Sequence, residues 1–254
     1  MTSERVDHAV KEAQADEANP AVAANRTRSQ TAVLALGPLR LTGRPAQLTV
    51  QAILLTLLAL VVYHRTRILS TPFTISALLW IAWQVYWGVS ATKTASTVRS
   101  ESAKSRALHQ YLLLLGFFLL FAPLPWLDHR ILPVGTGWVY LGLAVQAAFF
   151  GLAISARRTL GRNWSGAITE KVDHELVRSG PYRFMRHPIY TAILGMFLGS
   201  ALVSGDLHAF LAVAVVVATY LRKIRLEEQS LARVFGPRYE EYRRQTRALI
   251  PWIL

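Results

Sequence analysis

The 254-residue sequence contains no cysteine, which excludes disulfides, Cys-ligated zinc and a thiol nucleophile. It is also short of acidic side chains, with 15 Asp and Glu against 28 Lys and Arg. An excess of that size can mark a nucleic-acid binder. Here, however, the basic residues sit in polar segments that flank apolar runs, a pattern better explained by anionic headgroups and membrane topology. No nucleic-acid partner is expected, and no metal. The first thirty or so residues are polar and lack the apolar core of a cleavable signal. There is no internal repeat.

What is present is apolar, at 52% of residues, in blocks of membrane-spanning length. Residues 1 to about 45 hold few large apolar side chains and read as a disordered or surface-lying cytosolic tail, with Leu34, Leu36, Leu39 and Leu41 able to rest on the membrane. Residues 46–156 carry the first transmembrane helices: Leu48–Tyr63, Phe73–Val89, Leu108–Trp126 and Trp138–Ala156. Trp80, Trp83, Tyr86 and Trp87 suit the headgroup interface or a helix seam. Gly142 and Gly151 permit close helix contact. A fifth span starts at Pro188, a sixth ends near Tyr220, and Ser204-Gly205-Asp206 turns between them.

With the N-terminus inside, the inner segments collect most of the flanking Arg and Lys, whereas the outer loops hold only Arg65, Arg67 and Arg130. That asymmetry places both termini and the long polar segment 157–187 in the cytosol. The fold class expected is all-α, a polytopic integral membrane bundle of about six spans. Arginine outnumbers lysine, which hints at a GC-rich bacterial genome and so at the inner membrane.

Within 157–187 lies a run dense in Arg, His, Tyr, Gly and Pro, from His174 to Tyr190. Gly180-Pro181 breaks a helix, and Pro188 suits the first turn of the next one. The run reads as a compact polar loop entering a membrane helix, built to hold a polar ligand or simply solvated under the positive-inside rule. Glu227 and Glu228 follow on an amphipathic continuation of the last span, in a place where topology favours Arg or Lys. Either they pair with Lys223 and Arg225 along the helix, each pair contributing only ~0.2–0.5 kcal/mol, or they face the loop. Phe235-Gly236-Pro237 stops that helix, and Arg238–Arg247 restarts it with Tyr239 and Tyr242 a turn apart.

Three stretches in order carry a family likeness. Leu160-Gly161-Arg162-Asn163-Trp164-Ser165, then His174 through Gly180-Pro181-Tyr182-Arg183 and Arg186-His187-Pro188-x-Tyr190, then Glu227-Glu228 through Tyr242, together resemble the isoprenylcysteine carboxyl methyltransferase family, itself related to phospholipid N-methyltransferases. The likeness covers about residues 157–252. It implies an integral-membrane enzyme that uses S-adenosylmethionine (SAM), with residues 157–254 as the cofactor-binding region and a cytosolic pocket closed by the C-terminal helix. Carried over residue by residue, it implies that His174, Leu176, Val177, Gly180, Tyr182, Arg183, Arg186, His187, Pro188 and Tyr190 line the cofactor pocket and that Glu227 and Glu228 complete it. The carboxylates suit an ammonium or ribose, and Arg and loop N–H groups a carboxylate. The rings of Tyr182, Tyr190 or Trp164 suit adenine or a sulfonium.

Methyl transfer from such a donor asks mainly for positioning, so no catalytic triad is expected. For a carboxylate acceptor on a lipid, Arg222 or Arg225 is the expected partner, although a basic inner flank would look the same. The acceptor itself stays open among an isoprenoid acid, a phospholipid amine and a small thiol. A sterol-type reductase using NADPH, or a membrane protein with a degenerate pocket, are the competing readings.

Overall fold

The computed structural model describes residues 33–36, 39–42, 71–90, 97–100, 102–121, 124, 126–127, 129–161, 169–171 and 176–250. The expected first span, the Arg162–Ser165 motif and His174 lie outside them. The chain divides into a unit at Met1–Leu54 and a unit at Leu55–Leu254. In the first, β1 (Val33–Leu36) pairs antiparallel with β2 (Leu39–Thr42), Leu34 opposite Leu41 and Leu36 opposite Leu39. The four leucines expected to rest on a membrane therefore belong to a pair of antiparallel strands.

The second unit is helical: α1 (Thr71–Ser90), α2 (Ala103–Phe121), α3 (Thr136–Leu160), α4 (Pro188–Ser204), α5 (Leu207–Phe235) and α6 (Pro237–Gln245). A short ladder here departs from the all-α expectation, as the β1–β2 pair does in the first unit. β3 (Thr97–Ser100) pairs with β4 (Thr169–Lys171), tying together the two polar segments read as inner connections. Both strands carry β-branched Thr, which favours extended backbone.

Helix ends follow the local chemistry. α2 stops at Phe121, ahead of Pro123 and Pro125 and earlier than the expected Trp126. Pro188 opens α4 at its first turn. Gly205 takes φ 73° at the C-cap of α4, giving the tight turn into α5. The expected continuation of the last span is one unbroken 29-residue helix, α5, closed at Gly236.

α4 is apolar all round and buried along nearly its whole length, so it is the centre of the unit. Its broadest contact is with α3. Gly142 and Gly199 let the two backbones meet there: a Cβ on Gly199 would sit 2.7 Å from Gln146 N and Gly142 O. Gly151, expected to serve likewise, is exposed with nothing within 4 Å of a Cβ. On the other side, fully buried Trp80 of α1 donates from Nε1 to Ser200 Oγ at 2.9 Å and packs against Phe117 and Phe197. The tryptophan belongs to a helix seam and not to the headgroup belt.

Among the described residues, α3 and α5 are long and apolar enough to cross a membrane, and α4 is a shorter apolar helix of 17 residues. Six spans are not all present among them.

Candidate functional site

The site forms where α4 begins and α5 leaves its apolar stretch. Gly180, at φ 56°, starts a 3-10 turn (Gly180–Arg183) and lies so close to α3 that a Cβ would be 2.7 Å from Thr159 Oγ1. That turn buries Tyr182 and delivers Arg186 and His187 to the end of α4. Leu176 and Val177 are half-buried, Val177 against the core, whereas Arg183 is exposed over the ring of Phe184.

Both carboxylates of the α5 pair reach across to this loop. Arg186 Nε donates to Glu228 Oε1 at 2.7 Å, and His187 Nε2 lies 3.3 Å from the same oxygen. Tyr190 Oη donates to Glu227 Oε2 at 2.5 Å, with His187 Nδ1 3.7 Å from it. Burial works against ionisation of Glu228, yet the bonds and charges of His187 and Arg186 outweigh it and hold the carboxyl at about 2. Between the two readings of the pair, the contact with the loop is present.

Aromatic faces adjoin the charges. The His187 and Tyr190 rings stack at 5.3 Å and 3°, and Tyr190 meets Tyr220 at 4.7 Å. Lys223 Nζ stands 5.7 Å over the Tyr190 ring. Tyr239 is fully buried, its Oη has no hydrogen-bond partner, and Glu228 and Arg186 are among its neighbouring charges. Burial pushes its phenol upward, so it remains a neutral donor.

A strap at the C-terminus fixes the loop in a way the sequence did not announce. Arg186 N donates to Arg247 O at 2.9 Å and His187 N to Ala248 O at 3.0 Å. Arg186 Nη1 donates to the carbonyls of Thr246 and Arg243, Thr191 Oγ1 to Leu249 O, and Tyr242 Oη to Tyr182 O at 2.6 Å. These acceptors are backbone carbonyls, which any residue supplies, so no side-chain pattern marks them. The spacing of Tyr239 and Tyr242 was the one available signal.

The two arginines expected to meet an acceptor both lie on α5. Arg222 Nη2 donates to Ser105 Oγ of α2 at 2.8 Å, and Arg225 is exposed. The cation at the ring cluster is Lys223.

The donor set fits a cationic polar cofactor. Two partly buried carboxylates, a guanidinium, an imidazole, stacked rings and an orphaned buried hydroxyl can serve a sulfonium, an amine, a carboxylate and hydroxyls together.

Known proteins are similar to the chain over the same region. Residues 138–238 match the phospholipid methyltransferase family. The chain is 32% identical over 105 residues to the protein-S-isoprenylcysteine O-methyltransferase of Schizosaccharomyces pombe, covering 40% of this chain and 44% of that protein. It is 40% identical over 96 residues to a cobalt-zinc-cadmium resistance protein of Cupriavidus metallidurans, 37% and 44% of the two chains. Over 71 residues it is 32% identical to methanethiol S-methyltransferase 1 of Bradyrhizobium diazoefficiens, 28% and 24%. A eukaryotic intramembrane Ras methyltransferase of solved structure aligns over 80% of this chain and 75% of its own, at 21% identity and a TM-score of 0.48. The matches thus span less than half the length of each of these three curated relatives. The resemblance to the isoprenylcysteine carboxyl methyltransferase family holds in that region.

Proposed function

We propose, from a chain whose residues 138–238 are of the phospholipid methyltransferase type, that it is an integral-membrane, SAM-dependent methyltransferase. The acceptor is lipophilic or small, a carboxylate, amine or thiol reached from the cytosolic leaflet. The observation that carries this reading is the closure of Glu227 and Glu228 on Arg186, His187 and Tyr190. About six spans, cytosolic termini, a pocket closed by the C-terminal helix and a bacterial inner membrane complete the proposal.

When bound, the cofactor supplies a methyl group already activated on a sulfonium. Glu227 and Glu228 would hold its positive groups, Arg186 its carboxylate, and Tyr190 and Tyr239 would give ring faces and a hydroxyl. His187 fixes both carboxylates at once, and the strap keeps His187 and Arg186 in place. Orientation and exclusion of water are the protein's part of the work, since transfer needs no acid–base triad.

Thermal unfolding of the purified chain in nanodiscs tests this. A ligand that binds only the folded state at 100 times its Kd adds about 2.7 kcal/mol, so S-adenosylhomocysteine is expected to raise Tm by several degrees and NADPH to leave it unchanged. Mass spectrometry of a lipid extract incubated with deuterated-methyl SAM then identifies the acceptor. No shift with S-adenosylhomocysteine at millimolar concentration overturns the proposal.

A further inference from the structure

The rings of the site continue past Tyr190 into a helix that lies outside the matched segment. Tyr220 of α5 meets Tyr190 at a tilt, 4.7 Å and 35°, and His109 edge-on, at 5.4 Å and 78°. His109 sits near the start of α2 and is 7% exposed. Its Nδ1 is buried with no hydrogen-bond partner. A buried imidazole nitrogen left unpaired is costly in any fold, and here it adjoins the candidate site.

The charges around His109 are all of one sign. Lys223 and Arg222 are the ions that act on it, Lys223 itself nine-tenths buried and Arg222 anchored on Ser105, one turn before His109 on α2. Across Tyr190, the carboxylates are engaged by Tyr190, His187 and Arg186. Both carboxylates, with Arg186 on one of them, therefore lie at the His187 end of the ring column, and Lys223 and Arg222 lie toward the His109 end. A cationic methyl donor suits the first end, and an anion suits the second.

We infer that α2 and α5 form the acceptor side of the site, where His109 Nδ1, Lys223 and Arg222 receive an anionic head, a carboxylate or a thiolate. The inference rests on the methyltransferase reading and narrows it, because an ammonium head is repelled there. An oxygen or sulfur lone pair of the acceptor forms the new bond to the methyl carbon as the methyl–sulfur bond breaks, its electron pair returning to sulfur to leave a neutral thioether. A carboxylate has no proton to lose. A thiol reacts as its thiolate, which Lys223 and Arg222 favour, its proton having gone to water before it enters.

Equilibrium binding of radiolabelled decanoate, decanethiol and decylamine to the full chain in phosphatidylcholine nanodiscs, with and without S-adenosylhomocysteine, tests this. His109→Phe keeps the ring edge and removes Nδ1, His109→Asn restores a polar atom near its position, and Gln110→Ala on the exposed face of α2 is the control. Decanoate or decanethiol is expected to bind in preference to decylamine, His109→Phe to weaken it about 10- to 100-fold, and His109→Asn to recover most of the loss. S-adenosylhomocysteine binding and the control stay as in the unmodified chain. In methyl transfer the same variants raise acceptor KM with the donor's unchanged. If His109→Phe fails to fold, Lys223→Met carries the same expectation. Preference for decylamine, or anion binding indifferent to both His109 and Lys223, overturns the inference. Absence of S-adenosylhomocysteine binding in the unmodified chain sinks the function instead, and the subsite is then judged on decanoate binding alone.

Discussion

Arg186 and Glu228, 42 residues apart in sequence, meet at 2.7 Å with side chains 9% and 17% exposed. The pair joins the loop before α4 to the polar part of α5 and shares its carboxylate oxygen with His187. Removing one partner leaves the other charge partly desolvated. Glu228→Gln is therefore expected to destabilise by about 2–4 kcal/mol, at or just below the range for broken buried pairs, and to weaken S-adenosylhomocysteine binding. Arg225→Ala, at an exposed position on the same helix, should change stability by less than about 0.5 kcal/mol. Denaturant titrations of the two variants side by side check the contrast; equal effects would mean that Glu228 acts only as a solvated surface charge.

Acid should open the same contact. Glu228 titrates at about 2 in the folded chain against an ordinary 4.5. A depressed carboxyl pKa adds stability that is complete above the unfolded value and is lost as pH falls through the folded one. The expected result is a Tm that falls between pH 4.5 and pH 2 in the unmodified chain and falls less steeply in Glu228→Gln. Parallel curves would place the acid sensitivity elsewhere.

How far these features were legible depends on what kind of group makes them. The loop and the acidic pair could be read because Gly180-Pro181, His187-Pro188 and Glu227-Glu228 are side-chain signals with few uses. Their convergence could be expected because an amphipathic helix leaving the membrane must cover something polar. The strap at 246–249 could not, since it binds through main-chain carbonyls. Arg222 and Arg225 could be named by charge alone, whereas the buried Lys223 between them, which stands over the Tyr190 ring, carries no motif signal. The polar seam inside the bundle was hidden too. Ser76, Gln146 and Ser200 look like isolated polar residues in apolar runs until Gln146 Nε2 is seen donating to Ser76 O and Trp80 to Ser200.

The glycine seam gives a packing prediction. At Gly199 the neighbours of an added Cβ are Gln146 N and Gly142 O at 2.7 Å, backbone atoms of a helix that cannot rotate away. Gly199→Ala must push α3 and α4 apart, and overpacking of this kind costs typically about 1–3 kcal/mol. Gly151→Ala, with open space around it, is expected to be neutral or slightly stabilising because Ala is the better helix former. Thermal unfolding of both variants in the same nanodiscs decides it, and a neutral Gly199→Ala would show that the helices are less closely packed than these distances require.

The strap makes the last prediction. Ending the chain after Gln245 keeps α6 whole but removes the carbonyls that accept from the Arg186 and His187 backbone, together with those that accept from the Arg186 guanidinium at Thr246 and from Thr191 Oγ1. Tyr242 would still hold Tyr182 O, and burial, which pushes its phenol up to about 12, keeps it protonated to do so. The loop should thus stay attached at Tyr182 and come loose at Arg186–His187. Limited proteolysis is expected to cut the truncated chain at Arg183 or Arg186 while α4 and α5 survive, with S-adenosylhomocysteine binding reduced and global Tm changed far less. Loss of the whole fold on truncation would instead make residues 246–249 part of the core, and an uncut loop would show that the contacts from Glu227, Glu228, Tyr242 and the Arg243 carbonyl are enough to hold it.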